Sequence, residues 1–339
     1  MKKMTVNAAK PYAVFVKSGF SGLKAEAEKT APRALAVYDE TTYALFSEDI
    51  KRELGGYVFA EYVFPSGERA KAFGAIEKAL GFFAEKGLNR GDTVMAIGGG
   101  ATGDAAGFAS SVYMRGTRFI DCPTTVLSAV DSCVGGKTAV DFGGYKNLVG
   151  TFYDPDAVFI NTACFKSLPE REIRSGRGEM LKYAFLSREA SAEDLSGEIC
   201  EETVLKCLEI KKRFVEEDPF DRGQRKKLNL GHTIGHAIES ASGFSLSHGE
   251  CVAMGISAII DLSADFYGLS EYKMREMKSL VKKFGFGDKI PFGKEETAKA
   301  IRLDKKSSCR NIDVALIRDI GDAEIVTLPL EEFIGRLKW

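Results

Sequence analysis

The feature that most restricts the fold is an alternation, through the first half of the chain, between short apolar runs and longer stretches with helical spacing. The runs are AVFV (13–16), ALAVYD (34–39), YVFAEYVF (57–64), TVMAI (93–97), TRFIDC (117–122) and AVFI (157–160). Between two of them, residues 69–89 carry Phe73, Ile76, Leu80 and Phe83 at helical spacing. Parallel strands need crossover helices of that kind, because a tight hairpin cannot join them. The pattern predicts an α/β domain of Rossmann-like character, a mostly parallel sheet with helices on its faces, over residues 1–160.

After about residue 161 the strand-like runs fade and amphipathic patterns take over at 201–217, 232–240 and 250–267. Residues 161–339 are therefore expected to form a second, α-helical domain. Lysine plus arginine (47) almost cancel aspartate plus glutamate (48), so no net field concentrates a polyanion and nucleic acid is not an expected partner. Any anion must be held locally. Asn7, Lys10 and Pro11 break up the apolar character of the N-terminal segment, which reads as neither a signal peptide nor a membrane span. Seven scattered cysteines without C-x-x-C spacing suit a reducing, cytoplasmic setting.

Directly after TVMAI comes Gly98-Gly99-Gly100-Ala101-Thr102-Gly103-Asp104, then a helical stretch to Met114. Strand, glycine turn and helix start lie in the order of a phosphate cradle, in which small residues let backbone N–H groups approach an anion. A dinucleotide site also wants an acidic residue for the ribose. Asp121 lies at about the right distance, and Asp39, ending an earlier run, is the alternative. Ser66-Gly67-Glu68-Arg69-Ala70-Lys71 opens the next helix, with Glu68 and Lys71 on one face; by themselves these two read as a solvated helix start.

The segment 123–147, PTTVLSAVDSCVGGKTAVDFGGYKN, mixes threonines, an aspartate, double glycines and lysines into apolar sequence, as expected of a loop lining a charged small-molecule site. Lys137, after Gly135-Gly136, suits a phosphate or carboxylate, or simply a surface turn.

The chain has three histidines, all between positions 232 and 248. His232 and His236 are four apart, so a helix puts them on one face. His248 precedes Gly249-Glu250. Clustered imidazoles plus a carboxylate match a catalytic metal site with an open position, but spacing does not choose among Glu179, Glu239 and Glu250. Basic residues recur at Lys211-Lys212-Arg213, Arg225-Lys226-Lys227 and Lys305-Lys306. With Arg115 and Lys182 they suit a substrate carrying phosphate and carboxylate groups.

Taken together, GERAK (67–71), GGGATGD (98–104), YMRG (113–116), PTT and DSCVGGKT (within 123–138), GEMLKY (178–183), RKKLNLGHTIGHAIE (225–239), SHGE (247–250) and DKK (304–306) resemble, in order, the 3-dehydroquinate synthase family of sugar-phosphate cyclases. The resemblance runs from about Asp39 to Gly321. It implies Glu179, His232 and His248 as ligands of a divalent metal, zinc or cobalt, and His236 as a substrate or proton-transfer residue. It implies NAD as cofactor, held in the first domain by Asp39, Glu68, Lys71, Gly99, Gly100, Gly103 and Asp104, with Thr124, Thr125, Lys137, Lys146, Asn147 and Ser167. Substrate would meet Asp131, Lys137, Lys182, Lys211, Asp221, Arg225, Asn229 and one or both of Lys305 and Lys306. Arg115 would reach the neighbouring subunit's phosphate site, implying a homodimer.

The implied reaction converts 3-deoxy-D-arabino-heptulosonate 7-phosphate to 3-dehydroquinate and phosphate through transient NAD oxidation, phosphate elimination, reduction and intramolecular aldol closure. Departures from the family's usual pattern are Asp218-Pro219 and Asp221-Arg222-Gly223 for Asp-Glu and Glu-x-Gly, Ser175-Gly176-Arg177-Gly178 before Glu179, and Ser167 for a threonine. The competing expectations are a sister cyclase acting on another sugar phosphate, a glycerol-dehydrogenase-like NAD metalloenzyme that releases NADH, and a silent NAD-binding regulator.

Overall fold

The structure, a computed structural model, describes residues 1–243, 245–287, 290–304 and 310–338. The chain divides into two compact units, Met1–Leu168 and Pro169–Trp339.

The first unit is built on β1 (Lys2–Val6), β2 (Tyr12–Lys17), β3 (Ala34–Asp39), β4 (Val58–Phe64), β5 (Thr93–Gly98), β6 (Arg118–Pro123) and β9 (Ala157–Asn161). They form one sheet in the order β1-β2-β9-β6-β5-β3-β4. Only β1 pairs antiparallel, with β2; the other pairings are parallel. Helices α1 (Leu23–Ala27), α2 (Glu40–Leu54), α3 (Phe73–Glu85) and α4 (Gly100–Val112) complete the unit, with a hairpin of β7 (Lys137–Phe142) and β8 (Tyr145–Phe152).

Successive strand side chains point to opposite faces, and here both faces are covered. Leu35, Val37, Val94 and Ala96 pack with Ile76, Ala79 and Phe83 of α3. Ala36, Tyr38, Met95 and Ile97 pack on the other side with Ile50 and Leu54 of α2. That is why the runs read as continuous rather than alternating apolar sequence. Burying each large side chain among them contributes roughly 1.5–3 kcal/mol.

Three local expectations need correction. Residues 66–71 do not open α3: they form a separate 3-10 turn, Gly67–Lys71, and Lys71 is buried rather than solvated. The supposed loop 123–147 contains a π-helical turn, Ser128–Ser132, and β7, which turns back into β8 through Gly143-Gly144 with φ of 61° and 83°. The period-two pattern was present, since Thr138 and Val140 point inward, but glycines and lysines hid it. Edge strand β1 was not foreseen because only Met4 and Val6 are buried in it.

The order of strands positions the site. After β3 the chain adds β4 on one side of β3 and then β5 on the other, which makes the crevice beyond the C-terminal ends of β3 and β5 the switch point where ligands of open α/β sheets bind.

The second unit contains α5 (Glu170–Leu186), α6 (Ala192–Ser196), α7 (Glu201–Glu217), α8 (His232–Ala241), α9 (His248–Tyr267), α10 (Glu271–Lys283), α11 (Lys294–Asp304), β10 (Asn311–Asp319), β11 (Asp322–Pro329) and α12 (Leu330–Arg336). It is helical with one addition that the sequence reading passed over, the antiparallel hairpin β10–β11. α9 lies at the centre of this unit, packed against both α5 and α8. No helix among the described residues is long and apolar enough to cross a membrane.

Candidate active site

Helices α5, α8 and α9 meet through glycine. A Cβ on Gly178 would lie 2.0 Å from the carbonyl oxygen of Gly249, and one on Gly249 would lie 1.8 Å from that of Ser175. Only glycine permits this backbone-to-backbone contact. Glu179 follows Gly178 and His248 precedes Gly249, so the contact that joins α5 to α9 also delivers a carboxylate to an imidazole. Gly255 of α9 approaches α8 in the same way, its hypothetical Cβ lying 2.0 Å from the Gly231 carbonyl oxygen. Gly231, at φ 78°, immediately precedes His232.

The outcome is a converging donor set. Glu179 Oε1 lies 3.1 Å from His248 Nε2 and 3.5 Å from His232 Nε2, and one donor atom from each of the three residues lies within 4.8 Å of the others. Glu179 Oε2 is 2.6 Å from Lys182 Nζ, and both of these side chains are only 1% exposed. A buried carboxylate requires positive charge around it. Lys182 supplies part of it, and a proton or a divalent cation among the imidazoles supplies the rest. One carboxylate oxygen and two imidazole nitrogens are the donor chemistry of a metal site with open positions, so the residues fit such an ion.

The two histidines are pushed in opposite directions. Burial drives His232 down to about 3, helped by Lys182, His248 and His236 against the pull of Glu179. Burial also lowers His248, but hydrogen bonds to Glu179 and Glu239 outweigh it and raise it to about 10. His236 stands outside the converging set. Its ring centroid is 5.5 Å from that of His232 and 5.6 Å from that of His248, and it is exposed.

The three carboxylates that spacing left open occupy different places. Glu179 converges on the imidazoles. Glu250 instead ties down the start of α9: its Oε2 accepts from the Ser247 backbone N–H at 3.1 Å and hydroxyl at 2.8 Å, and its Oε1 from Arg174 Nε at 2.7 Å. Burial raises Glu250, but these bonds outweigh it and leave the carboxyl below its usual value. Glu239 lies behind His248, with Oε2 3.3 Å from Nδ1.

Three buried cations lie on neighbouring elements of this unit: Lys182 on α5, Lys211 on α7 and Arg225 on the 3-10 turn Gln224–Asn229. Arg225 donates from Nη1 to the Pro219 carbonyl at 2.6 Å. The loop before it is organised by Asp218, which the sequence reading did not single out as functional; its carboxylate accepts from the backbone N–H groups of Arg222, Gly223 and Arg225. Asp221 sits in that loop at φ 57°, and Asn229 is exposed at the end of the turn. Lys305 and Lys306 lie outside the described residues.

In the first unit the glycine turn sits where β5 passes into α4. A Cβ on Gly99 would come within 3.1 Å of Thr125, and one on Gly103 within 3.3 Å of Asp121 Oδ1. Asp104, on α4 just past its first turn, is 2.6 Å from the buried Lys71 Nζ, which also donates to Asn147 Oδ1. Burial lowers Lys71, but Asp104 and Glu68 outweigh it, so the amine is held above its ordinary value. Glu68 and Lys146 pair at 3.8 Å. Five of the expected cofactor residues are thus linked by contacts: Glu68 to Lys146, and Lys71 to Asp104 and Asn147.

Asp39 ends β3 and caps α2. Its Oδ1 accepts from the N–H groups of Thr41 and Thr42, and its Oδ2 from Thr102 Oγ1 at 2.9 Å, a bond that spans the crevice between β3 and β5. Thr124 N–H donates to the Gly98 carbonyl at 2.8 Å. Gly100, Gly103, Asp104, Asp121 and Lys137 are among the residues that line a small cavity. Asp131 belongs to the π-helical turn beside it. Ser167 is exposed and bonds to the Cys164 carbonyl at 2.7 Å, and Arg115 is exposed at φ 64°.

Comparison with known proteins identifies the family. The family models described as 3-dehydroquinate synthase N-terminal and C-terminal match residues 61–175 and 176–307. A 3-dehydroquinate synthase of Clostridium tetani is 34% identical, the match covering 100% of this chain and 95% of the relative. Among solved structures, 2-deoxy-scyllo-inosose synthase complexed with carbaglucose-6-phosphate, NAD+ and Co2+ superposes with a TM-score of 0.86 at 22% identity, covering 99% of each chain. The 2-epi-5-epi-valiolone synthase of Streptomyces hygroscopicus, with NAD+ and Zn2+ bound, has a TM-score of 0.84 at 24% identity, covering 96% of this chain and 95% of the other. These two show a shared fold. The family models and the full-length relative go further: the chain is an enzyme of the 3-dehydroquinate synthase family.

Proposed function

We propose that this chain converts 3-deoxy-D-arabino-heptulosonate 7-phosphate to 3-dehydroquinate and phosphate, using NAD and a divalent metal, zinc or cobalt. The observation that carries the proposal is the convergence of Glu179, His232 and His248 on one point in a chain of this family. When bound, the metal supplies Lewis acidity and NAD supplies a reversible hydride acceptor. Glu179, His232 and His248 would hold the metal. Asp39, the 98–104 turn, and the linked side chains of Glu68, Lys71, Asp104, Lys146 and Asn147 would hold NAD, with Thr124, Thr125 and Ser167.

The remaining side chains bind and move protons. Lys182, Lys211 and Arg225, buried cations on adjoining elements, suit the carboxylate and phosphate of a phosphorylated sugar acid. Asp131, Lys137, Asp221, Asn229, Lys305 and Lys306 complete our assignment of substrate contacts. His236, exposed next to the donor set, is assigned the transfer of a substrate hydroxyl proton at its imidazole.

We further propose a homodimer. Phe73 and Phe142 stack edge to face at 5.6 Å, and both are exposed, as are Tyr145, Leu148 and Phe152 of the same hairpin. A second copy would cover this apolar face, and Arg115 would reach the partner's substrate. Six described cysteines are free thiols, which suits the reducing cytoplasm.

The test is one assay. With NAD, Zn2+ or Co2+ and the heptulosonate phosphate, the protein should release phosphate and dehydroquinate in equal amounts without net NADH. Stoichiometric NADH would reassign it as a dehydrogenase, and turnover of another sugar phosphate alone would reassign it as a sister cyclase.

A further inference from the structure

We infer that Glu239 is a positioning residue for His248: it fixes the tautomer and orientation of that imidazole and so sets the affinity of the Glu179–His232–His248 cluster for a divalent cation. The inference rests on the metal reading above and adds to it a residue outside the three ligands. His248 makes two contacts from opposite sides of its ring, Nε2 at 3.1 Å from Glu179 Oε1 and Nδ1 at 3.3 Å from Glu239 Oε2. A ligand imidazole must be neutral; in that form a ring whose Nδ1–H donates to a carboxylate presents its Nε2 lone pair outward, and the carboxylate makes that nitrogen a stronger donor.

His232 obtains the same result by another route. Its Nδ1 lies 3.2 Å from the Leu230 carbonyl oxygen, which can only accept, so Nδ1 carries the hydrogen and Nε2 is free to face Glu179. One ligand is fixed by backbone and the other by a side chain. Only the second can be removed by substitution, and that makes the inference testable.

The geometry also explains why the partner comes from α8. His232, His236 and Glu239 lie at positions i, i+4 and i+7 of that helix, on one face. α9 begins at His248 and is pressed onto α8 at the Gly255–Gly231 contact. Glu239 is therefore opposite His248 by virtue of a backbone contact, and it sits behind the imidazole, outside the converging donor set.

The experiment measures Zn2+ and Co2+ dissociation constants by chelator competition for the wild type, Glu239→Gln and Glu239→Ala. The spectrum of the Co2+ form and the melting temperature of the metal-free protein accompany them. We expect affinity to fall about 10-fold in Glu239→Gln and about 10- to 100-fold in Glu239→Ala, with the Co2+ bands and metal-free melting retained. Because the chain has three histidines, 15N-histidine labelling of the Zn2+ form resolves each ring, and only the Nδ1–H signal of His248 should shift in Glu239→Ala, as its hydrogen-bond acceptor is lost.

Unchanged affinity in both variants would overturn the inference while leaving the metal site intact. Altered Co2+ bands would overturn it by making Glu239 a ligand. A fall in metal-free melting without a change in affinity would overturn it in favour of a packing role. A wild type that binds neither ion would instead remove the metal reading itself, and this inference with it.

Discussion

The two units hold their functional groups by different physical means. In the first, the groups sit at the ends of strands and at the start of a helix, and the same hydrogen bonds that end those elements orient the groups: Asp39 caps α2 while reaching Thr102 across the crevice. In the second, no single element contains the site. Glu179, His232 and His248 come from three helices, and what brings them together is backbone contact at Gly178, Gly231, Gly249 and Gly255, most of it where there is no side chain at all. A site built on local bonds tolerates repacking elsewhere; a site built on helix contact fails when the contact does.

The largest effect follows directly. Gly249→Ala would place a methyl group 1.8 Å from the Ser175 carbonyl oxygen, and neither backbone can yield without separating α5 from α9. We expect a loss of more than about 4 kcal/mol, at the upper end of single substitutions. Calorimetry with hydrogen exchange should show the second unit melting while the 1–168 sheet stays protected. Gly81→Ala, in the interior of α3 with open space around it, is the control and should be neutral or slightly stabilising. Equal melting of the two variants would break the comparison.

The next effect tests whether the first unit carries strain of its own. Asp121 is buried under the first turn of α4, and desolvation, with a smaller contribution from Asp104, pushes its carboxyl up from 3.8 to about 7. A raised carboxyl contributes its stability in full below the unfolded pKa, where both states are protonated, and that contribution is lost as pH rises through the folded value. Replacing it with a neutral amide removes the dependence. Relative to Asp121→Asn, the wild type should therefore lose about 3 kcal/mol between about pH 5 and about pH 8, less whatever the α4 N-terminus restores to the ionised form. Denaturant titrations across that range decide it, and parallel curves for the two proteins would show that Asp121 is ionised throughout.

The same contrast explains what was legible in the sequence. Continuous apolar runs announced β2, β3, β5, β6 and β9, since a strand buried on both faces must be apolar along its length; β4, at the sheet's edge, showed by its aromatic and valine content, and the glycine turn announced itself by lying between a strand and a helix. The histidines revealed a cluster, but choosing its carboxylate depended on the resemblance; residue spacing has no access to a contact between Gly178 and Gly249, which lie far apart in the chain. The roles of Asp218, Glu239 and Glu250 were likewise invisible, because each depends on which backbone or ring a carboxylate faces. Lys71 misled for the opposite reason: a lysine three residues from a glutamate looks solvated until Asp104 and Asn147 close over it.

The smallest expected effect on folding sharpens the comparison at its other end. Asp39 Oδ1 holds the N–H groups of Thr41 at 2.9 Å and Thr42 at 3.0 Å. Asp39→Ala removes this cap and should lower stability by about 1 kcal/mol, whereas asparagine, an equally good cap, should fold within a few tenths of the wild type. The amide can keep one oxygen on the cap, but it then turns an NH2 group toward Thr102 and the crevice, where the carboxylate accepts. If the cap and the cofactor contact are one group, Asp39→Asn will retain its melting temperature and bind NAD about 10-fold more weakly, as expected for the loss of a hydrogen bond to a charged acceptor. Unweakened NAD binding in that variant would mean that Asp39 serves the fold alone, and the first unit would then separate structure from site as the second one does.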